Sequence, residues 1–446
     1  MFSKLAGNIS LRVKQKPSGR SWPASFDPHP KKAMRRKANQ KAEVRTTKRS
    51  AGARNRKPHP WGTPPWTVDF RPATHSFPDE VDFAVVGGGF SGLSAAAWLR
   101  RLAPERSVVV LEANSIGEGA SGRTGGLALA DTAGGKLPGL GDVLVGYKKI
   151  LRVLGIDSRL SLPGVWELAR SVPTKYSPIS WNDSGDLRGV RIVPGGTVDP
   201  GKVVGGLARA AEHAGAQIFE HAEVRGLDFS NSPLLHVRHS LRGRIHQRKI
   251  RAQQILLATN AFSLELSGLS ASAAPRLTLA MATAPLSPSQ LKTIGLSSGR
   301  PFYTVDLPYL WGRLLDSGGV IFGAGLVPMP TGWPIRAAFD PDSDKKHSLD
   351  LRRFDVRHGE AAESFRRLEE RVRHMHPALD SVRITHRWAG PILFTEKMLP
   401  IFRRHPKGEN VLILAGYNGH GVALSVYLGK WAAEALLGVR ALPRWR

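Results

Sequence analysis

VDFAVVGGGFSGLSAAAWLRRLAPERSVVVLE, residues 81–112, reads as strand, glycine turn, helix, strand and acid. An apolar run at 83–86 feeds into Gly87-Gly88-Gly89-Phe90-Ser91-Gly92. A small-residue helix follows over 93–102, and a second apolar run, 108–111, ends at Glu112. Each part suits a dinucleotide. Gly87 lets the chain turn tightly, Gly89 lets backbone approach a pyrophosphate, and Gly92 lets the helix pack close on the strand. The helix start around Phe90 and Ser91 offers N–H groups and partial positive charge to phosphate. Glu112, twenty positions after Gly92 and followed by Ala113, is placed to accept hydrogen bonds from an adenosine ribose. An ordinary βαβ turn would not need that acid.

Working outward, residues 116–126 read IGEGASGRTGG, with five glycines in eleven residues. Such a backbone lies close against something flat or charged. Gly119, Ala120, Ser121, Gly122, Arg123, Thr124, Gly125 and Gly126 form this second segment. Ser121 and Thr124 suit phosphate oxygens, and Arg123 supplies charge. Further on, a short strand places Val224 where backbone reads an adenine. A buried strand over 254–257 ends in Ala258-Thr259-Asn260, at the carboxyl edge where open α/β sheets bind ligands. Near the end, Gly416-Tyr417-Asn418-Gly419-His420-Gly421 opens a last helix, with Val422 in its first turn. That helix again aims its N-terminus at a ligand.

The periodicity predicts helices over 143–153, 201–214 and 361–375, and helical segments at 165–171. It predicts strands over 187–192, 277–284, 302–305, 309–315, 320–323, 382–388 and 411–415, the middle group suggesting one antiparallel sheet. Residues 335–360 read as a charged surface loop and 390–400 as another loop. The Pro- and Trp-rich lead-in, 59–80, suggests an extended segment packing its aromatics on the body.

Composition bounds the rest. The chain of 446 residues is long enough for two or three domains, and 41% of it is hydrophobic, enough for a sizeable core. There is no cysteine, which excludes disulfides, thiolate metal sites, a cysteine nucleophile and a cysteine-linked cofactor. No apolar run reaches membrane-span length. The formal charge is +28, and residues 1–60 hold 17 Lys and Arg against Asp27 and Glu43, a local surplus of fifteen. Residues 1–58 therefore read as a disordered basic arm. It is a solvating or nucleic-acid-attracting tail, an organelle transit segment, or an upstream extension without function. The body is expected in the cytoplasm, with organelle targeting by the arm left open. The pairs His374/His376 and His236/His239 read as surface residues lacking carboxylate company, and no metal site is predicted.

Four motifs in order resemble the FAD-dependent oxidoreductases of the D-amino-acid oxidase type, closest in pattern to γ-glutamylputrescine, glycine and sarcosine oxidases. GGGFSG with Glu112 is similar to the family's ADP-binding end. GEGASGRTGG resembles its GxGASGRNGG segment, ATNAF its ATNAY, and GYNGHGVALS its closing GHG turn. The resemblance covers about 80–440. It implies an α/β plus α+β fold: a Rossmann-like FAD-binding domain (81–139, 195–270 and 385–440) and a mainly antiparallel-sheet substrate domain (140–194 and 271–384). It implies non-covalent FAD, a small amine or amino acid as substrate, and oxygen or a quinone-linked partner as electron acceptor. The implied reaction oxidises a C–N bond to an imine by hydride transfer to flavin N5. One departure stands out. Phe402 replaces the glycine of a usual D-x-x-P-x-I-G segment, which puts the flavin contact there in question.

Within that frame, Arg313 is the candidate clamp for a substrate carboxylate; a structural ion pair with Asp306 or Asp316 is the competing reading. Tyr303, Tyr309 and Trp311 are candidate walls. His420 is a candidate at the flavin edge, and Lys397 for oxygen or substrate. Two other functions share these features. One is a tRNA-modifying FAD oxidase acting on a carboxymethylaminomethyl-type wobble base, favoured by the basic surplus. The other is a non-catalytic flavin-binding protein recruited through the arm.

Overall fold

The computed structural model describes residues 59–170, 176–241, 243–262, 264–326 and 355–445. The basic arm and most of the charged loop at 335–360 lie outside the described residues. Two eight-stranded sheets organise the rest.

The first sheet is built around Glu80–Val86. This strand pairs in parallel with Val108–Leu111 on one side and with Arg244–Leu257 on the other. Gln217–Phe219 and Gly408–Ala415 extend the parallel set outward, and Ile401–His405 closes one edge antiparallel. The central strands are buried on both faces, which is why they read as continuous Val/Leu runs. The helices Phe90–Leu102, Pro200–His213 and Gly421–Leu436 cover one face and share a core with it that includes Leu93, Val203, Leu207 and Leu424. A meander of Ala222–Asp228, Leu234–Leu241 and Arg244–Leu257 covers the other through Val224, Leu235, Val237 and Ile250.

In the second sheet the order is Ile384–Thr395, Ala273–Thr283, Val320–Leu326, Leu310–Leu314, Phe302–Thr304, Val165–Arg170, Asp186–Val193 and Ser180–Asn182. Its neighbours are antiparallel, except that Phe302–Thr304 runs parallel to Val165–Arg170. The helix Gly359–Met375 packs on one face through Phe365, Leu368 and Val372, as its apolar spacing predicts.

Several expectations need correction. Residues 165–170 form a strand, not a helical segment; they lie between two partner strands and are buried on both faces, so their apolar run has no alternation to read. The expected loop at 390–400 is strand as far as Thr395, and this moves residues 385–395 out of the segment expected with the first sheet. The helix Val143–Val153 forms where predicted, but its buried Val143, Tyr147 and Ile150 join the core of the first sheet, not the second. The edge strand Ile401–His405 was not foreseen. Phe402 on it is 6% exposed and packs edge-on against Trp431, so it belongs to the core of the first sheet.

The lead-in is fastened to the body. Trp61 stacks on Phe262, and its carbonyl accepts the N–H of Ala389. The Trp66 indole donates to Gly122 O at 2.7 Å and meets Trp388 edge-on.

Candidate active site

The end of Glu80–Val86 turns at Gly87, whose φ of +109° suits glycine; a Cβ there would also stand 2.6 Å from Ala258 O. The next helix begins with no side-chain cap. Phe90 N–H donates to Ser121 Oγ at 2.9 Å, which ties the first glycine turn to the second glycine segment. Glu112 accepts Gly88 N–H at 2.7 Å and Asn114 N–H at 2.9 Å. Burial pushes its carboxyl above the ordinary range, with repulsion from Glu118 and Glu220 adding to it and the two N–H bonds opposing.

The last helix packs beside the first. Ser91 Oγ lies 2.5 Å from Tyr417 Oη, and Ser94 Oγ donates to Val426 O at 2.7 Å. This helix also starts uncapped, at His420. Asn260 Oδ1 accepts Gly416 N–H and holds the turn before it. Two helix N-termini, neither capped by its own N-cap side chain, thus open on one cavity of about 2120 Å³.

Most of the predicted cofactor residues line this cavity. They are Gly87, Gly89, Phe90, Ser91, Glu112, Ala113, Gly119, Ala120, Ser121, Arg123, Thr124, Gly125, Val224, Ala258, Thr259, Asn260 and Gly419 through Val422. Three glycines act one layer behind it. A Cβ on Gly92 would meet Gly87 O at 2.0 Å, one on Gly122 would meet Gly117 O at 2.3 Å, and one on Gly126 would meet Val198 O at 2.4 Å. Arg123 has a different task from the one expected. Its guanidinium donates to the carbonyls of Glu118 and Gly62 and lies over Trp61. Burial lowers its pKa to about 10. It fastens the lead-in to the second glycine segment.

The second sheet forms the facing wall. Cross-strand register sets Arg191, Glu167, Tyr303 and Trp311 in one row, and all four line the cavity. Trp311 lies over Gly323 and against Gly125, joining this wall to the glycine segment. The loop that continues from Tyr303 presents Val305, Leu307 and Tyr309 to the cavity. A buried ion network holds that loop. Asp183, with its side chain 1% exposed, bonds Arg170 at 2.5 Å and Arg371 at 2.7 Å. Both arginines donate to Pro308 O, Arg371 also to Tyr309 O, and Arg170 also to Asp306.

Of the four candidate catalytic residues, Tyr309 and His420 line the cavity. Burial lowers the pKa of His420, with Asn418 O and Asp131 opposing, so its ring is neutral at pH 7. Arg313 does not line the cavity. It is 6% exposed, donates to Gly125 O at 2.6 Å and lies over Trp66. Burial lowers its pKa to about 10. Neither expected ion pair forms, since Asp306 pairs with Arg170 and Asp316 with Arg159. Lys397 is exposed in the turn after Thr395 and lines a separate, smaller pocket with Phe402 and Trp445. His236 has carboxylate company after all, Asp228 at 2.7 Å. Among the described residues no group of three or more His, Asp or Glu is placed to hold a metal.

Several cavity residues escaped the sequence reading, among them Arg191, Glu167 and Ser425. Glu167 sat inside a stretch misread as helix. Ser425, buried on the last helix, has a hydroxyl without a partner and lines the cavity. Its position four residues after Gly421, one helical turn, was the available signal.

Glycine turns, paired helix starts and an opposing antiparallel wall around one cavity define a dinucleotide-dependent oxidoreductase. The sequence pattern of the family described as FAD dependent oxidoreductase (DAO) matches residues 82–175 and 150–435. The chain belongs to this family, and FAD is its cofactor. The chain is 26% identical over 405 residues to a probable oxidoreductase OrdL of Haemophilus influenzae, covering 81% of this chain and 84% of the relative. It is 25% identical over 416 residues to the γ-glutamylputrescine oxidoreductase of Escherichia coli, covering 80% and 84%. Among solved structures it resembles glycine oxidase of Geobacillus kaustophilus, with a TM-score of 0.58, 19% identity, and 82% and 96% of the two chains covered. It also resembles the L-amino acid deaminase of Proteus myxofaciens, with a TM-score of 0.60, 14% identity, and coverage of 84% and 94%.

The residues fit FAD. The cavity is large, two uncapped helix starts face it, and the orphaned Ser425 hydroxyl awaits a polar partner there. With no cysteine in the chain, the flavin has no cysteine linkage.

Proposed function

We propose that this enzyme oxidises the C–N bond of a small amine or amino acid to an imine. The observation that carries the reading is the shared cavity, with cofactor-type glycine turns on one side and the Glu167–Tyr303–Trp311 wall on the other. The names of its relatives, which act on γ-glutamylputrescine, glycine and L-amino acids, favour a C–N donor.

Bound FAD would supply the acceptor for a hydride, which carries both electrons of the oxidation. The chain's own residues do the rest. The helix that starts after Gly89 turns its positive end toward a pyrophosphate, with the N–H groups of Gly87, Gly88 and Phe90 held by the protein, and Glu112 offers carboxylate oxygens to a ribose. The bare start at Gly421 and Val422 stabilises negative charge developing at the far end of the cavity. Neutral His420 adds no competing charge there. Residues 165–193 and 271–384, with the strand that follows them, act as the substrate domain. Their sheet orients the substrate, and its aromatic and aliphatic wall excludes water. With Arg313 turned away, recognition falls to Tyr303, Tyr309, Trp311 and their neighbours on that wall.

The test is an anaerobic titration of the flavin-loaded enzyme with a panel of amines and amino acids, followed by absorbance. Bleaching by at least one of them, reversed by air or by a quinone, is expected; flavin that none of them reduces refutes the reading.

A further inference from the structure

The row facing the cavity contains a pair with a specific acid–base geometry. Tyr303 and Glu167 are register partners on adjacent parallel strands, and both line the cavity. The Tyr303 hydroxyl donates to Glu167 Oε1 at 2.5 Å. Glu167 is 7% exposed, and its other oxygen accepts from Arg191, the register partner on its far side. With its proton committed to Glu167, the Tyr303 oxygen presents only lone pairs to the cavity. Asp131, also on the cavity wall, lies within electrostatic reach of both Tyr303 and His420. Tyr303 and the start of the last helix line the same cavity.

A substrate amine has an ordinary pKa near ~10, so only about one molecule in a thousand is neutral at pH 7. The C–N bond of an ammonium ion cannot be oxidised, because its nitrogen has no lone pair to form the imine. We propose that Tyr303, backed by Glu167, takes the proton that a bound substrate ammonium must lose. This rests on the amine-oxidising function proposed above. The ammonium N–H bond breaks toward Tyr303 Oη while the tyrosine's own proton passes to Glu167 Oε1. The substrate is left neutral with its lone pair, Tyr303 is again a neutral phenol, and Glu167 is a neutral acid. No electrons change owner in this step.

The surrounding groups fit the role. Burial, and then Glu167 through its bond and its charge, push the Tyr303 hydroxyl above its ordinary range, with Arg191 opposing and Asp131 adding. That favours the neutral phenol, the form a relay needs. Arg191, exposed on its outer side, bonds the Glu167 oxygen that the tyrosine leaves free and holds the carboxyl in place.

The test is the pH profile of anaerobic flavin reduction in wild type, Tyr303→Phe and Glu167→Gln. Tyr303→Phe keeps the ring, and Glu167→Gln keeps an acceptor for the tyrosine but takes no proton. Both variants should lose roughly 10²–10³-fold in kcat/KM at pH 7. Their kcat/KM should then rise tenfold per pH unit and approach wild type near pH 10, where the substrate is already neutral. A loss that stays constant with pH, or a wild-type profile in both variants, overturns the relay while amine oxidation stands. A wild type that no amine reduces overturns the proposed function and the relay together.

Discussion

Asp183→Asn carries the largest expected effect on stability. The carboxylate is enclosed, and both of its oxygens are bonded to guanidinium groups. Asparagine keeps the shape and one acceptor but removes the charge that Arg170 and Arg371 share. Breaking a buried pair by removing one partner costs about 3–5 kcal/mol. With the retained acceptor, the low end of about 3 kcal/mol applies, roughly a 150-fold change in the unfolding equilibrium. Burial opposes the Asp183 charge, but Arg371 and Arg170 outweigh it and hold the carboxyl below its usual range. Its stabilisation is therefore complete above the unfolded-state value of about 3.9 and fades as pH falls through the lower folded-state value. Urea unfolding of both proteins should give a difference that is flat from pH 8 to 5 and shrinks below about pH 4. The same network holds the loop that carries Leu307 and Tyr309, so KM should rise several-fold while FAD affinity holds. A stability difference under about 0.5 kcal/mol, or one that grows in acid, would refute this account of Asp183.

Other outcomes follow from the same geometry. Gly92→Ala forces the first helix off its strand; an overpacking cost of about 1–3 kcal/mol and FAD binding weakened tenfold or more are expected by flavin fluorescence titration. Ser425→Ala should leave the melting of the FAD-free protein unchanged or slightly improved. The FAD-bound form should lose about 0.5–1.5 kcal/mol, read as a change in FAD affinity. Lys397→Met should leave steady-state kcat/KM within twofold of wild type, since the side chain faces away from the cavity.

The glycine turns that line the cavity were legible because backbone, not side chains, makes them. Turns such as Gly87-Gly88-Gly89 and Gly419-His420-Gly421 announce themselves wherever a helix must start against a ligand. The substrate half was much less so. Arg313 and Lys397 have the right chemistry, but a strand presents alternate residues to opposite faces and a turn aims its side chains by local geometry. Neither direction is written in residue type. Glu167 was hidden because its strand is buried on both sides and its apolar neighbours erase the period of two. The Asp183 network joins residues 170, 183, 306 and 371, and no local pattern connects positions so far apart. Trp61 and Trp66 were read correctly as packing aromatics, although Arg123 was needed to show what they pack against.

The order of the central strands also bears on how the protein is made. The first glycine turn is complete by residue 92, yet the strand Gly408–Ala415 and the helix that begins at Gly421 supply the far end of its cavity. Trp61, still earlier in the chain, waits for Ala389. At roughly 5–20 residues per second, the nascent chain holds an unfinished cofactor cradle for on the order of half a minute. No fragment ending before residue 422 contains the whole cavity, so FAD capture belongs to the last stage of synthesis or follows it.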